Sequence, residues 1–152
     1  MTDYHFNIRV YGILTNMKNQ VLVTDEYRNG IMFTKYPGGG LEFGEGIIDC
    51  LKREFVEEMN CEVTVKQHFY TTDFFQVSAF NPKHQLISIY FLVHSKEIEN
   101  QEFNFERFGF NQKIEGAQIF RWIPINELCE DEFTFPIDKI VSTKIKKQYS
   151  VL

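Results

Sequence analysis

Runs of β-branched and aromatic residues predict that much of the chain folds as β-strands. The predicted strands cover residues 6–14, 21–24, 31–36, 62–70, 73–80, 85–94 and 117–123. Asn29-Gly30 is a typical two-residue hairpin turn between the second and third of them. Pro37 stops the third strand, and the glycine run 38–40 is predicted to form a loop with unusual backbone freedom.

A helical period replaces the strand pattern between Gly46 and Met59. Apolar residues recur at every fourth position and form one stripe, which two further apolar residues widen. The stripe consists of Ile47, Leu51, Phe55 and Met59, widened by Ile48 and Val56. Asn60 follows where a helix commonly ends in a left-handed residue, a conformation that asparagine tolerates.

The last third of the chain is predicted to be irregular at first and helical at its end. Residues 96–116 are polar with scattered phenylalanines and predict a long loop, and a short helix is predicted over 124–128. An amphipathic helix is predicted over 136–149, with its lysines on the side that faces solvent. Its apolar face comprises Ile137, Ile140, Val141 and Ile145. This mixture predicts an α/β fold of the α+β kind, with residues 1–152 as one domain.

Composition narrows the class of protein. The 152 residues carry 16 basic and 21 acidic side chains, and the net charge of -5 argues against a nucleic-acid-binding surface. The longest apolar run, 86–93, is far shorter than the ~20 residues that span a bilayer, so no membrane partner is expected. Three widely separated cysteines without a Cys-x-x-Cys pair favour a reducing, cytoplasmic compartment.

The acidic excess is concentrated in one segment. Seven of the 21 acids lie between Glu42 and Glu62. Glu54, Glu57 and Glu58 share one helix face, and carboxylates this close repel one another unless a cation lies among them. Oxygen ligands at this density suit Mg²⁺ or Mn²⁺, which recruit substrate phosphates. The segment predicts metal-dependent chemistry on a phosphate ester or anhydride, and the alternative is a solvated acidic helix face.

The spacing of these residues closely resembles the signature of the Nudix hydrolase family. The matching positions are Gly39, Glu45, Arg53-Glu54 and Glu57-Glu58. Asn60 stands where the family pattern has glycine, and Cys61 stands where it has an aliphatic residue. The stretch 122–128 also resembles the family's closing strand and short helix, so the resemblance extends over most of the chain.

The resemblance implies a Nudix-type α/β/α sandwich with a central mixed β-sheet, a loop-helix-loop catalytic segment and a C-terminal helix. It implies hydrolysis of the pyrophosphate bond of a nucleoside diphosphate-linked compound, in the class of nucleoside triphosphates, nucleotide sugars or ADP-ribose. The implied cofactor is Mg²⁺ or Mn²⁺, and the implied partner is a small nucleotide. A non-catalytic nucleotide-sensing module on the same fold is the alternative, and the resemblance leaves open whether the chain is a homodimer.

The resemblance also implies roles for individual residues. The metal ligands would be Glu54, Glu57, Glu58 and the backbone carbonyl of Gly38 or Gly39. Glu45 and Arg53 would orient these ligands through hydrogen bonds. Glu115, on the loop before the last strand, is the preferred further catalytic glutamate, and a solvated loop glutamate is the alternative.

Contacts with the substrate are less firmly indicated by the sequence. Gly39 and Gly40 are candidates for contacts with the phosphates through their backbone, and Arg28 is a candidate from the hairpin. Aromatic residues near the predicted site offer stacking surfaces for a base, but core packing is the preferred interpretation of each. These residues are Phe6, Tyr70, Phe74 and Phe75.

Overall fold

The computed structural model describes residues 3–103 and 106–149, which contain seven strands and two α-helices. The strands are β1 (His5–Leu14), β2 (Gln20–Arg28), β3 (Ile31–Lys35), β4 (Gly38–Gly40), β5 (Thr64–Thr71), β6 (His84–His94) and β7 (Gln118–Pro124). The helices are α1 (Ile47–Met59) and α2 (Pro136–Tyr149). The predicted α+β class is therefore confirmed. No helix in the described part of the chain has the length and apolar character needed to cross a membrane.

The chain divides into two compact units. The first lies within residues 1–13 and 38–97, and the second lies within residues 14–37 and 98–152. The first unit contains a four-stranded sheet in the order β4-β1-β6-β5. β1 and β6 run in the same direction, because their first residues, His5 and His84, are in ring contact and Gly12 lies beside Val93 near their ends. β4 and β5 are antiparallel to their neighbours, so this sheet is mixed.

Helix α1 packs on one face of this sheet through a close approach at Gly12. A Cβ atom at Gly12 would lie 2.7 Å from the ring of Phe55, so the missing side chain makes room for that ring. The helix residues Phe55, Leu51 and Cys50 are fully buried. Burial of one large apolar side chain contributes about 1.5–3 kcal/mol to stability. The helix ends as predicted, at an Asn60 with φ 50° and ψ 41°.

The second unit contains a three-stranded sheet in the order β3-β2-β7. The predicted Asn29-Gly30 turn joins β2 to β3, and both residues have positive φ, 53° and 76°. Helix α2 has the bounds predicted from the sequence, and it buries Ile137, Val141 and Ile145. Residues 96–116 form no strand or α-helix in their described part, as predicted; residues 104 and 105 lie outside the described residues.

Several predicted elements differ from the structure. Residues 73–80 do not form a strand, because only Val77 bridges to β6 and side-chain hydrogen bonds stabilise turns on either side. The glycine run is a short strand, β4, instead of a loop, because its backbone pairs with β1. Ile48 and Val56 are exposed and do not widen the buried stripe of α1, in which Cys50 takes their place.

Candidate active site

The first part of the candidate site is the contact between strand β4 and helix α1. Gly39 pairs with Val10 of β1, and its Cα faces the carboxylate of Glu54. A Cβ atom on Gly39 would overlap that carboxylate, with its Oε2 atom only 2.6 Å away. Because the position lacks a side chain, the Glu54 carboxylate can pack directly against the backbone of the glycine strand.

Gly38 is required by a second close approach in the same strand. Its φ is 145°, and a Cβ atom there would overlap the backbone carbonyl oxygen of Val10. Two neighbouring glycines therefore serve different purposes, since Gly38 allows β4 to pair closely with β1 and Gly39 admits Glu54. The sequence predicted the freedom of this segment but not its use as a strand.

Arg53 is the cation at the centre of the acidic segment. It pairs with both carboxylate oxygens of Glu45, through Nη2 at 2.7 Å and Nε at 2.9 Å. Nη1 donates to Glu54 at 2.9 Å and to Glu57 at 3.1 Å, and it lies 3.8 Å from Glu42. The repulsion expected among the glutamates is therefore offset by a side chain of the chain itself.

The bond between Arg53 and Glu45 also joins the helix to the loop that precedes it. Hydrogen bonds from Arg53, and one from the backbone of Glu42, lower the pKa of Glu45 from 4.5 to about 2. The same bonds with Glu45 raise the pKa of Arg53 above its ordinary value. Both groups therefore stay charged at neutral pH, so the link between the loop and the helix persists there.

Cys50 lies beneath this ion network and was not predicted as part of it. Its thiol is 3.5 Å from the carbonyl oxygen of Gly40 and 3.7 Å from Nη2 of Arg53, and that nitrogen also donates to the Gly40 carbonyl at 3.0 Å. Burial raises the pKa of the Cys50 thiol to about 12. The thiol is therefore a neutral packing group, and the Gly40 carbonyl is engaged with Arg53.

The three glutamates predicted as metal ligands have different surroundings. The side chain of Glu54 is mostly buried, Glu57 is exposed, and Glu58 is half-buried with its Oε2 atom inaccessible to solvent. Among residues 3–103 and 106–149, no group of three histidine, cysteine or carboxylate side chains is arranged to hold a metal ion. In the observed conformation, Glu54 and Glu57 instead share the Nη1 atom of Arg53.

Two other predicted site residues, Arg28 and Glu115, belong to the second unit. The Glu115 carboxylate accepts a hydrogen bond from the backbone N–H of Asn29 at 2.9 Å, so it closes the end of the hairpin turn. Arg28 is exposed and lies 4.0 Å from Glu26. Both contacts are structural, and the catalytic and substrate roles of Glu115 and Arg28 remain predictions.

The aromatic residues considered for stacking are not buried as a group. Phe6, Phe74 and Phe75 are exposed, so core packing is the wrong interpretation for them. Tyr70 is half-buried and lies beside the buried ring of Tyr90. The phenylalanine content of the chain gave no indication of which rings would reach solvent.

A buried ion network in the second unit was also missed from the sequence. Asp25 has no solvent exposure and accepts hydrogen bonds from Arg121, from the Thr34 hydroxyl and from the backbone N–H of Phe108. Arg121 also bonds Glu132 at 3.1 Å. The signal available in the sequence was the pair of adjacent carboxylates, Asp25 and Glu26, after the apolar run 21–23 of β2.

Comparison with known proteins identifies the family of the chain. The sequence model of the NUDIX domain matches residues 5–143, so the chain belongs to the NUDIX family. It is a Nudix hydrolase, a pyrophosphohydrolase of nucleoside diphosphate-linked substrates. No protein of curated function matches the sequence closely enough to count as a relative.

Solved structures show the same fold at low sequence identity. A NUDIX hydrolase from Nitrosomonas europaea has a TM-score of 0.66 and 18% identity, over 93% of this chain and 88% of the other. A MutT protein from Methanosarcina mazei has a TM-score of 0.69 and 15% identity, over 99% and 100%. A structure from a study of MutT from Aliivibrio salmonicida and Vibrio cholerae has a TM-score of 0.61 and 23% identity, over 95% of this chain and 99% of the other. The predicted Nudix fold is thus confirmed.

Proposed function

We propose that this Nudix hydrolase uses Mg²⁺ or Mn²⁺, held by Glu54, Glu57 and Glu58, to cleave the pyrophosphate bond of a small nucleotide. The observation that carries the proposal is the packing of the Glu54 carboxylate against the bare backbone of Gly39. A mostly buried carboxylate in that place is fixed relative to β4 and to α1 at once. Such fixed placement is what a metal ligand requires and what a solvated acidic face lacks.

The donor set fits a hard divalent cation chemically. The acidic face of α1 offers only carboxylate oxygens, and the glycine strand beside it adds backbone carbonyls, which Mg²⁺ and Mn²⁺ prefer over nitrogen or sulfur ligands. In the observed conformation, Arg53 already neutralises Glu54 and Glu57. We therefore expect metal binding to require Glu57, the exposed member, to exchange its hydrogen bond with Arg53 for the ion.

Each residue then has a distinct part in the reaction. The bound ion would lower the pKa of a water and neutralise charge on the phosphates. Arg53 and Glu45 hold the loop and the helix together, which fixes where the carboxylates point. The attacking water forms a bond to phosphorus, the anhydride P–O bond breaks, and one of the three glutamates accepts the proton of the water.

The substrate class follows from the family and is proposed at that level. Nucleoside triphosphates, nucleotide sugars and ADP-ribose all contain the anhydride linkage. The residues proposed to contact the phosphates are Gly39, Gly40 and the exposed Arg28. Glu115 is proposed as a further catalytic carboxylate. All three cysteines are free, which supports a reducing, cytoplasmic location.

The proposal is tested with Glu57→Gln, which removes one charge from an exposed side chain and leaves the packing of α1 intact. Phosphate release from a panel of these nucleotides, with Mg²⁺ or Mn²⁺, should fall at least ~100-fold, as when charge stabilisation of a transition state is lost. Glu62→Gln is the matched control, because Glu62 is an exposed glutamate beyond the end of the helix. Its activity should equal that of the wild type.

Two outcomes would contradict the proposal. Full activity of Glu57→Gln would exclude Glu57 as a ligand. Absence of activity from the wild type on the whole panel, combined with nucleotide binding and no dependence of the melting temperature on Mg²⁺ or EDTA, would instead indicate a nucleotide-sensing module.

A further inference from the structure

Exposed apolar side chains gather in the first unit, where β1 and β6 begin. Tyr4, Phe6 and Phe75 are 67%, 68% and 73% exposed, and Val77 is 39% exposed. We call these four residues the aromatic patch. Large apolar side chains are seldom grouped on a surface without a partner, because their exposure to water is unfavourable.

The patch is continuous across the start of β6. On one side of β6, the backbone N–H of His5 donates to the carbonyl of Lys83 at 3.0 Å. On the other side, Val77 pairs with Gln85, and the N–H of Leu86 donates to the carbonyl of Gln76 at 2.8 Å. The segments that carry Tyr4 and Phe6, and Phe75 and Val77, therefore flank the same end of one strand.

The two patch residues whose backbone pairs within the sheet, Phe6 and Val77, lie on one face of it. Gly12 lies under Phe55 of α1, and residues at two-residue intervals along a strand share a face, so Phe6 of β1 is on the face that α1 covers. Val93 of β6 also borders Gly12, and Gln85 lies an even number of residues before it. Helix α1 thus covers one end of the face and leaves the aromatic patch uncovered at the other.

We propose that the aromatic patch is a self-association surface on which a second copy of this chain docks about a two-fold axis. At roughly 200 Å² for each aromatic side chain, the exposed fractions amount to about 500 Å² of apolar surface. A stable dimer buries about 800 Å² on each partner, of which about 60% is apolar. The patch therefore supplies the apolar part of one side of such an interface.

The charges around the patch also fit a second copy. The chain has a net charge of -5, so two copies repel each other over most of their surface, and the patch itself contains no charged side chain. Asp3 and Lys83 are both exposed beside it. In a two-fold arrangement the same surface meets itself, so the acid of one copy can face the base of the other.

Two other occupants fit less well. A nucleobase offers far less apolar area than the patch exposes, so stacking of one base would leave most of it in water. A membrane surface with anionic lipids attracts clusters of lysine and arginine. Lys83 is the single lysine or arginine between positions 72 and 94, and residues 3–8 contain neither.

The experiment is sedimentation velocity on the full chain from about 1 to 200 μM, a range that covers weak and moderate dimers. The wild type should shift from monomer to dimer as its concentration rises. Phe75→Asp places a charge on the most exposed residue of the patch and should weaken association at least ~100-fold. Met17→Asp is the control, because Met17 is 94% exposed in the second unit and its change adds the same charge elsewhere.

Each result bears on the proposal. A dimer that Phe75→Asp dissociates and Met17→Asp preserves supports it, provided circular dichroism and urea unfolding show both variants folded. A wild type that stays monomeric at about 200 μM overturns the proposal. The proposal is also overturned if this monomeric protein sediments with lipid vesicles, because the patch would then bind a membrane surface. A dimer that Phe75→Asp leaves intact, or that both variants dissociate equally, overturns the assignment to this surface. Phosphate release, measured in parallel, reports on the proposed function independently.

Discussion

Gly39→Ala is the sharpest test of how the glycine strand positions Glu54. The backbone of Gly39 is not in a positive-φ conformation, so alanine is allowed there, and the three atoms nearest to its Cβ would all belong to the Glu54 carboxylate. The added Cβ would lie 2.6 Å from Oε2, whereas ordinary contacts of a Cβ begin at 3.4 Å. The carboxylate must therefore retreat by about 1 Å, which is enough to cost about 100-fold in rate at a catalytic centre.

The same substitution should hardly change stability. The displaced group is the end of a flexible side chain, and replacing glycine by alanine at a compatible position contributes about 0.4–1 kcal/mol by restricting the unfolded chain. We therefore expect kcat for phosphate release at saturating Mg²⁺ to fall about 100-fold, equivalent to about 2.7 kcal/mol in the barrier. The free energy of unfolding in urea should change by less than about 1 kcal/mol.

Gly46→Ala is the matched control for this measurement. Gly46 precedes α1 with φ -79°, and a Cβ atom there would meet only Asp49, at an ordinary 3.5 Å. Its kcat should match that of the wild type. If Gly39→Ala kept kcat within about twofold of the wild type, the close packing of Glu54 on β4 would not matter for catalysis.

Three further predictions concern charge and reactivity. Arg53 lowers the pKa of Glu45 to about 2. The stability that the charged Glu45 contributes to the folded protein is therefore complete at neutral pH and disappears between about pH 4.5 and 2. The stability difference between wild type and Glu45→Gln, measured by urea unfolding, should shrink over that range, and a constant difference would contradict the assignment. Arg121→Met leaves the fully buried Asp25 carboxylate without its cation and should cost about 3 kcal/mol of unfolding free energy; a loss below about 1 kcal/mol would refute this. A thiol reagent at pH 8 should modify only Cys129 in the native protein, since the other two cysteines are buried with raised pKa values; mass spectrometry showing more than one label would refute it.

The helices were predictable from sequence because several independent signals agree at their ends. The apolar period of α1 stops where Asn60 supplies the left-handed residue, and α2 has a clear apolar face that the structure buries. Strand β4 was not predictable in this way. A strand of three glycines has no side-chain pattern, and only the backbone partner in β1 defines it.

The grouping of the acidic residues on one helix face was predictable from the sequence, but their contacts were not. Spacing placed the glutamates on one helix face, yet the cation among them proved to be Arg53, whose reach depends on side-chain geometry. The sequence also assigned Phe6 and Phe75 to the core because composition alone does not distinguish buried from exposed rings.

The paired bonds between Arg53 and Glu45 restrict how this protein can evolve. Loss of Glu45 would free the guanidinium to bind Glu54 and Glu57 more tightly, and loss of Arg53 would leave their charges uncompensated. A change at either position therefore alters the charges around Glu54 and Glu57, and replacing both residues would still remove their cation. Directed evolution for a new substrate should therefore leave these two positions fixed and vary the residues around them.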